Sequence, residues 1–335
     1  MAEPNQTPSL VDVAARAGVS PTTVSRVLNN RGYLSQRTKD RVAQAIEELN
    51  YRPNEVARAL LGQRTKMIGV IVPTVALPFF GEVVVSLEHA LEQHGYRLLL
   101  CNSLGRADLE REYLDLLISN RVDGIISGAH NDAIPEYADI KLPLVTIDRQ
   151  LAPQIPNVRC DNEAGGRMAT ELLLRRGCRH PALLTSTSSP RNMREAGYRA
   201  VLAEAGIEPI VGTVNFHTPE PRRTQQIDAW LSRWLPNVDG VFATDDLMAG
   251  TVLEWAAQSG VAVPDQLRVV GFDGTEAIRR ALPGLSTVRQ PIRLICRGAT
   301  DLLLSQIDNQ AFSAGDQQRI KPLEFPVSLF EGRTT

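Results

Sequence analysis

Aromatic residues are scarce in this chain, at 5% of 335 residues, and its 4 cysteines stand alone. Cys101, Cys160, Cys178 and Cys296 form no Cys-x-x-Cys pair and keep no zinc-like spacing with histidine. Neither a disulfide framework nor a metal site is therefore expected, and the thiols read as buried groups in a reducing cytoplasm. No apolar run reaches the ~18 residues of a membrane span. The opening "MAEPNQTPSL" has no basic segment followed by an apolar one, so no secretory signal is read there. The expectation is a cytoplasmic protein without membrane contact. Signatures of common catalytic and nucleotide sites are missing as well. No Gly-x-Gly-x-x-Gly follows a strand, and Gly-x-x-x-x-Gly-Lys-Ser/Thr, Gly-x-Ser-x-Gly and His-Glu-x-x-His do not occur. Asp245 and Asp246 adjoin at a helix start and point apart, which does not suit an acid–base pair. No enzyme activity and no cofactor are expected.

What is present is length and an uneven charge. A chain of 335 residues exceeds one compact core, so two or three domains are expected. Met1 to Lys66 holds 10 basic and 6 acidic residues against totals of 36 and 38, a surplus of 4 positive charges. The remainder, 26 basic and 32 acidic, carries −6. A basic head on an acidic body suits a nucleic-acid-binding module joined to something else.

Three short helices read from the head. Ser9 can cap the first, with Asp12 three residues on, and Leu10, Val13, Ala14 and Ala17 give one apolar stripe that Gly18 ends. Ser20 can cap the second, which places Pro21 at the first helical position, where its missing N–H costs nothing. Val24, Val27 and Leu28 face the first helix. The third runs from about Gln36 to Leu49, capped by Ser35 and lined by Val42, Ile46 and Leu49. Its first turns gather Arg37, Lys39 and Arg41, which opposes the helix dipole unless a phosphate lies nearby. Helix, glycine turn, helix and a packing third helix make a helix-turn-helix arrangement. Thr22, Arg26 and Asn29 share one face of its second helix. Arginine can read guanine, asparagine adenine, and a threonine methyl can touch thymine. Thr23 and Ser25 are better placed for phosphate, and Ser9, Pro21, Ser35 and Thr38 at the helix starts complete the assigned DNA face. A three-helix interaction bundle with a solvated polar face stays open on these residues alone.

Beyond Pro53, "NEVARALLG" can form a short helix from Asn54 to a Gly62 stop, with Val56, Ala57, Leu60 and Leu61 on one side. It is too short to be stable alone, so it needs a copy of itself or DNA, or else it is an ordinary linker.

From Lys66 the pattern changes. Apolar runs at 67–72, 96–101, 123–128 and 142–148 alternate with helices near 79–94 and 107–120. Further runs at 180–186, 209–216, 239–244 and 267–272 alternate with helices near 163–177, 191–206, 221–235, 246–259 and 291–308. Continuous apolar strands between helices mean parallel sheets covered on both faces, here in two doubly wound halves. Ligands bind beyond the carboxyl ends of such strands, which puts the natural site in the cleft between halves. The strand ends supply Phe79 and Phe80, Asp148 and Arg149, Arg194, Phe216 with His217, Asp245 and Asp273. Carboxylates and arginine can hold neighbouring hydroxyls while aromatic faces stack on a sugar ring. Each residue alone has a plainer reading: Asp245 as a helix cap, the phenylalanines as core, His217 as a loop residue.

"LVDVAARAGVSPTTVSRVLNN", "LSQRT" at Leu34–Thr38 and "ELNYRPNEVARAL" resemble the lactose/galactose repressor family of bacterial transcription regulators. The resemblance continues through "NRVDGIISG", "VRCDNEAGGRMATELLLRRGCRHPALL", "DGVFATDDLMAGTVL", "RVVGFDGTE" and "LSTVRQPI", nearly the whole chain. It implies an all-α helix-turn-helix head over 1–52, a hinge helix and linker over 53–66, and an effector-binding α/β core over 67–335 of two doubly wound parallel-sheet subdomains, like periplasmic sugar-binding proteins. The N-subdomain would take about 67–162 plus 292–323, and the C-subdomain about 163–291 plus 324–335. The hinge would insert Leu60 into the minor groove beside Asn54 and Ala57, unstacking a base step for added contact. In the core, the effector arginine falls on Arg194, two later polar contacts on Asp245 and Asp273, and the aromatic wall on Phe79, Phe80 and Phe216. Gln290 falls where the chain crosses back between subdomains. Three residues depart from the pattern: Asp245 where asparagine is common, Thr251 where a glycine is usual, and Phe330 on the last strand where many members have arginine. No leucine heptads follow, which favours a homodimer.

The implied function is a repressor that holds double-stranded operator DNA until a small effector, a sugar or sugar phosphate, closes the cleft. The sign stays open, because some relatives use a purine or a phosphoprotein as corepressor. A transport binding protein would share the cleft but not the basic head.

Overall fold

The computed structural model describes residues 8–28, 32–51, 64–129, 131, 134–309 and 320–335. The chain divides into two compact units, Met1–Thr65 and Lys66–Thr335.

The first unit contains α1 (Leu10–Ala17), α2 (Pro21–Leu28) and α3 (Gln36–Glu48). Ser9 and Asp12 form a reciprocal capping box, and Gly18 closes α1 at φ 60°, which glycine tolerates best. Ser20 Oγ accepts from the Thr23 amide at 3.1 Å, so α2 starts where Pro21 allows it. Val13, Ala14, Ala17, Val24, Val42, Ala45 and Tyr51 form a core small enough that the caps matter. Arg41 has a partner within the head: its guanidinium donates to the Ala17 carbonyl and, at 3.0 Å, to the Gly18 carbonyl. It thereby serves the negative end of α1, which offsets its unfavourable place on α3.

The second unit holds two six-stranded sheets. The first, in the order β11-β5-β4-β3-β1-β2, is built from β1 (Met67–Val72), β2 (Arg97–Asn102), β3 (Gly124–Ser127), β4 (Leu144–Ile147), β5 (Asn157–Cys160) and β11 (Leu323–Phe325). Its helices are α4 (Pro78–Glu92), α5 (Ala107–Ser119), α6 (Glu136–Asp139) and α12 (Ile292–Asn309). The second, in the order β12-β10-β9-β8-β6-β7, uses β6 (Pro181–Thr185), β7 (Ile210–Thr213), β8 (Gly240–Ala243), β9 (Arg268–Asp273), β10 (Ser286–Arg289) and β12 (Ser328–Phe330). Its helices are α7 (Asn162–Arg175), α8 (Met193–Ala205), α9 (Arg222–Trp234), α10 (Asp246–Gln258) and α11 (Glu276–Ala281). All pairings are parallel except β10 with β12. Both faces of each sheet are covered, which explains the uninterrupted apolar strands.

The chain crosses between sheets after β5, after β10 and between β11 and β12. The last crossing follows Phe325, slightly later than the expected switch after residue 323, because Leu323–Phe325 still pairs with β5. Four short strands, β5, β10, β11 and β12, escape the apolar-run pattern. Two of them bury polar side chains: Asn157 donates to Thr146, and Thr287 donates to Asp246 Oδ1 at 2.6 Å. Hydrogen-bonded polar side chains of this kind hold a strand without raising its hydrophobicity, although Asn157 Oδ1 itself has no partner among the described residues. Phe330, on β12, lies 4.2 Å beneath the Arg289 guanidinium.

Candidate functional site

On the head, Thr22 and Arg26 lie exposed on α2, while Val24 is buried behind them. The helix thus presents a short-chained polar side and one long cation. Thr23 Oγ1 is 2.9 Å from Ser20 Oγ, and Ser35 Oγ is 2.8 Å from Thr38 Oγ1, so both hydroxyl pairs are locally engaged at helix starts. Ser9 is engaged still further: its amide and hydroxyl both donate to Asp12 Oδ2 at 2.7 Å. Pro21 is exposed and Ser25 half-buried. Asn29, Asn54, Ala57 and Leu60 lie outside the described residues.

The core carries a cavity of about 760 Å³ at the carboxyl ends of strands from both sheets. Arg194 is its centre. The side chain leaves α8 after its Asn192 cap and is only 15% exposed. Nε donates to Asn162 Oδ1 at 2.7 Å, Nη1 donates to the Thr244 carbonyl, and the guanidinium lies 3.7 Å over the Phe272 ring. Asp273 Oδ1 stands 3.4 Å away, and Asp148 Oδ1, from the other sheet, 3.8 Å away. One guanidinium therefore joins strand ends of both subdomains.

The placement of Arg194 depends on a backbone contact between α7 and α8. A Cβ on Gly166 would fall 2.1 Å from the Arg194 carbonyl oxygen, and one on Gly197 would fall 2.2 Å from the Glu163 carbonyl oxygen. Only glycine at both places lets the two helices approach this closely.

The two carboxylates facing Arg194 sit on unusual backbone. Asp148 has φ 66° and Asp273 φ 105°, the left-handed region that aspartate tolerates at a cost. Burial pushes the Asp273 carboxyl well up; Arg194 opposes this and nearby Asp246 and Asp245 reinforce it. Burial also works against the Arg194 charge, but Asp273 and Asp148 outweigh it and hold its pKa above the ordinary value. Asp246, also on the cavity lining, accepts from Thr287 and, at 2.7 Å, from the Gly274 amide, and burial pushes its pKa up to about 7.

Asp245 does two jobs. Oδ1 accepts from the Met248 amide at 2.7 Å, capping α10, and Oδ2 faces Arg223 at 3.3 Å. The cap reading and the cavity reading thus hold together. Phe79 and Phe80 also combine roles: both are buried in the core and both line the cavity. Phe80 lies 6.5 Å from Phe216 in an edge-on arrangement, so the aromatic wall spans the two subdomains. Arg149 lines the cavity too. Gln290 does not; it donates to Asp273 Oδ1 at 2.8 Å from behind and orients that carboxylate. Residues missed from the pattern are Asn162, Arg223 and Glu82. The last lies on α4, yet Oε2 accepts from the Glu276 amide of the other subdomain at 2.8 Å. Opposite, His217 packs on Gly105 so closely that a Cβ there would meet Nδ1 at 1.9 Å. Burial first and Arg149 second lower the His217 pKa.

Among the described residues no cluster of His, Cys, Asp or Glu could hold a metal ion, and no described helix is long and apolar enough to cross a membrane.

Comparison with known proteins gives two family matches. Residues 9–54 match "Bacterial regulatory proteins, lacI family", and residues 170–335 match "Periplasmic binding protein-like domain". The chain is 42% identical over 328 residues to a sucrose operon repressor of Streptococcus mutans, covering 97% of this chain and 98% of that protein. It is 38% identical to a ribose operon repressor of Halalkalibacterium halodurans, covering 97% and 96%. Among solved structures, the lac repressor dimer bound to operator and the anti-inducer ONPF superposes with a TM-score of 0.83 at 28% identity, covering 98% of this chain and 99% of that one.

Proposed function

The chain belongs to the lacI family of bacterial regulatory proteins, a DNA-binding repressor of a sugar operon, and we propose that a sugar or sugar phosphate in the Arg194 cavity lifts its repression. The observation that carries this reading is the Arg194 guanidinium facing Asp148 on one subdomain and Asp273 on the other. Hydroxyls placed there can donate to both carboxylates and accept from the guanidinium, with the Phe80–Phe216 wall against the ring face. A ligand that tightens these contacts favours one relative placement of the subdomains, and a ligand acts only through such a difference in affinity.

In this reading the head meets operator base edges through Thr22, Arg26 and Asn29, with Thr23, Ser25 and Thr38 near phosphates. Residues 53–66 supply the hinge and Leu60 the minor-groove wedge. A homodimer reads two half-sites, and the protein works in the cytoplasm without a cofactor or catalytic step. Ser9 is the weakest member of the set, since its capping box already occupies its polar atoms.

The test is a gel-shift titration with an operator selected from random DNA. Added sucrose, ribose or their phosphates should release the DNA. Tight salt-dependent binding that no member of a broad sugar panel alters would contradict the reading.

A further inference from the structure

Arg223 is a second guanidinium on the cavity wall, from the first turn of α9, and its side chain is 13% exposed. Among the described residues it has two partners, both at long range: Nη2 stands 3.3 Å from Asp245 Oδ2, and Nη1 stands 3.4 Å from the Phe216 carbonyl. A guanidinium has five N–H donors, so several remain available toward the cavity. Asp245 is similarly half-committed. Its Oδ1 is taken by the cap of α10, while Oδ2 has, among the described residues, only the long contact with Arg223. Burying an arginine on a wall is costly unless its donors are used. Among the described residues these two long bonds engage only part of the fork.

Resting on the function proposed above, we propose that Arg223 and Asp245 act together as a specificity-determining pair that reads adjacent hydroxyls of an unphosphorylated sugar. One hydroxyl donates to Asp245 Oδ2 and its neighbour accepts from Arg223, so a vicinal diol lies along the pair and uses the lone pairs and N–H groups that the long direct bond leaves over. Arg194 holds the same ligand from the other side between Asp148 and Asp273. Each of these guanidiniums already faces a carboxylate within 3.8 Å. A phosphate drawn to either would meet that carboxylate as a like charge, whereas a hydroxyl satisfies both partners. The pair also sits beside Phe216, whose carbonyl Arg223 approaches, so it ties the aromatic wall to the polar recognition of the same ring.

The test uses the full-length protein and its selected operator, with Arg223→Gln, Asp245→Asn and the double variant. Gln keeps an N–H donor without the charge or the fork, and Asn keeps the helix cap. Neutral pentoses, hexoses and disaccharides, including sucrose and ribose, are titrated beside their phosphates. For the sugar that releases wild type, Arg223→Gln should need about ten to a hundred times more, the range for a hydrogen bond to a charged group. Asp245→Asn should behave alike, the double variant should lose far less than the product, and the ranking of sugars should change. Sugar-free operator affinity and thermal midpoint should stay near wild type, which a merely bracing salt bridge would not predict. Release of operator from Arg223→Gln at the wild-type sugar concentration, with the wild-type ranking of sugars, overturns this inference and leaves the proposed function standing. Release only by phosphates overturns the neutral-diol recognition alone. Release by no member of the panel removes the proposed function and this pair with it.

Discussion

The α2 face and the Arg194 cavity are built on opposite plans. The helix face comes from eight consecutive residues, Pro21–Leu28, with its caps within a few residues. The cavity takes Asp148, Arg194, Asp245 and Asp273 from four separate strand-to-helix connections in two sheets. A local site depends on one helix and its cap. An assembled site depends on every contact that sets the approach of distant backbones, so it can respond to a ligand by moving them. A surface carried by one capped helix can be small, whereas a cavity gathered from two sheets can shift those sheets when a ligand binds.

Breaking the assembled site should cost most. Gly197→Val places side-chain atoms where the Glu163 carbonyl lies, and should destabilise the core by about 3 kcal/mol or more in denaturant unfolding. A loss under about 0.5 kcal/mol would show that α7 and α8 can separate freely. Next is Arg194→Ala, which leaves Asp273 and Asp148 without their cation. Sugar affinity measured by calorimetry should fall by about 3 kcal/mol while sugar-free operator binding persists. Retained release at wild-type sugar concentrations would displace Arg194 from the centre of the site.

The local site should fail in a different manner. Arg26→Ala should reduce operator affinity by about 1–3 kcal/mol and relax the sequence preference at one base pair, with sugar affinity unchanged. An unaltered preference would make Arg26 a phosphate contact. The smallest effect is expected from Ser9→Ala, about 1 kcal/mol in the thermal stability of the head, through its capping box. Weaker operator binding with unchanged stability and a shallower salt slope would instead restore Ser9 to the DNA face.

The same contrast governs how much the sequence discloses. The three head helices announce themselves through Ser9, Pro21, Gly18 and Ser35, because capping chemistry is local. The eight apolar runs that alternate with helices appear as strands β1–β4 and β6–β9 for an equally local reason. The strand-end rule then places Phe79, Phe80, Asp148, Arg149, Arg194, Phe216, Asp245 and Asp273 on one cavity. What stays hidden depends on non-local partners. Arg41 reaches α1 from α3, Asn162 meets Arg194 across two helices, and Arg223 meets Asp245 across α9 and α10. Gln290 looks like a cavity residue from its place in the chain, but its amide turns to Asp273. The glycines of α7 and α8 read as weak helix residues until the two backbones are seen to meet.

The proposed function requires that the guanidinium-centred cavity and the DNA-binding head be thermodynamically coupled. The direct measurement is the affinity of the full-length protein for its releasing sugar, determined by calorimetry with and without saturating operator DNA. Coupling is reciprocal, so operator should weaken sugar binding by the same factor by which sugar weakens operator binding. Equal sugar affinities in the presence and absence of operator would contradict it.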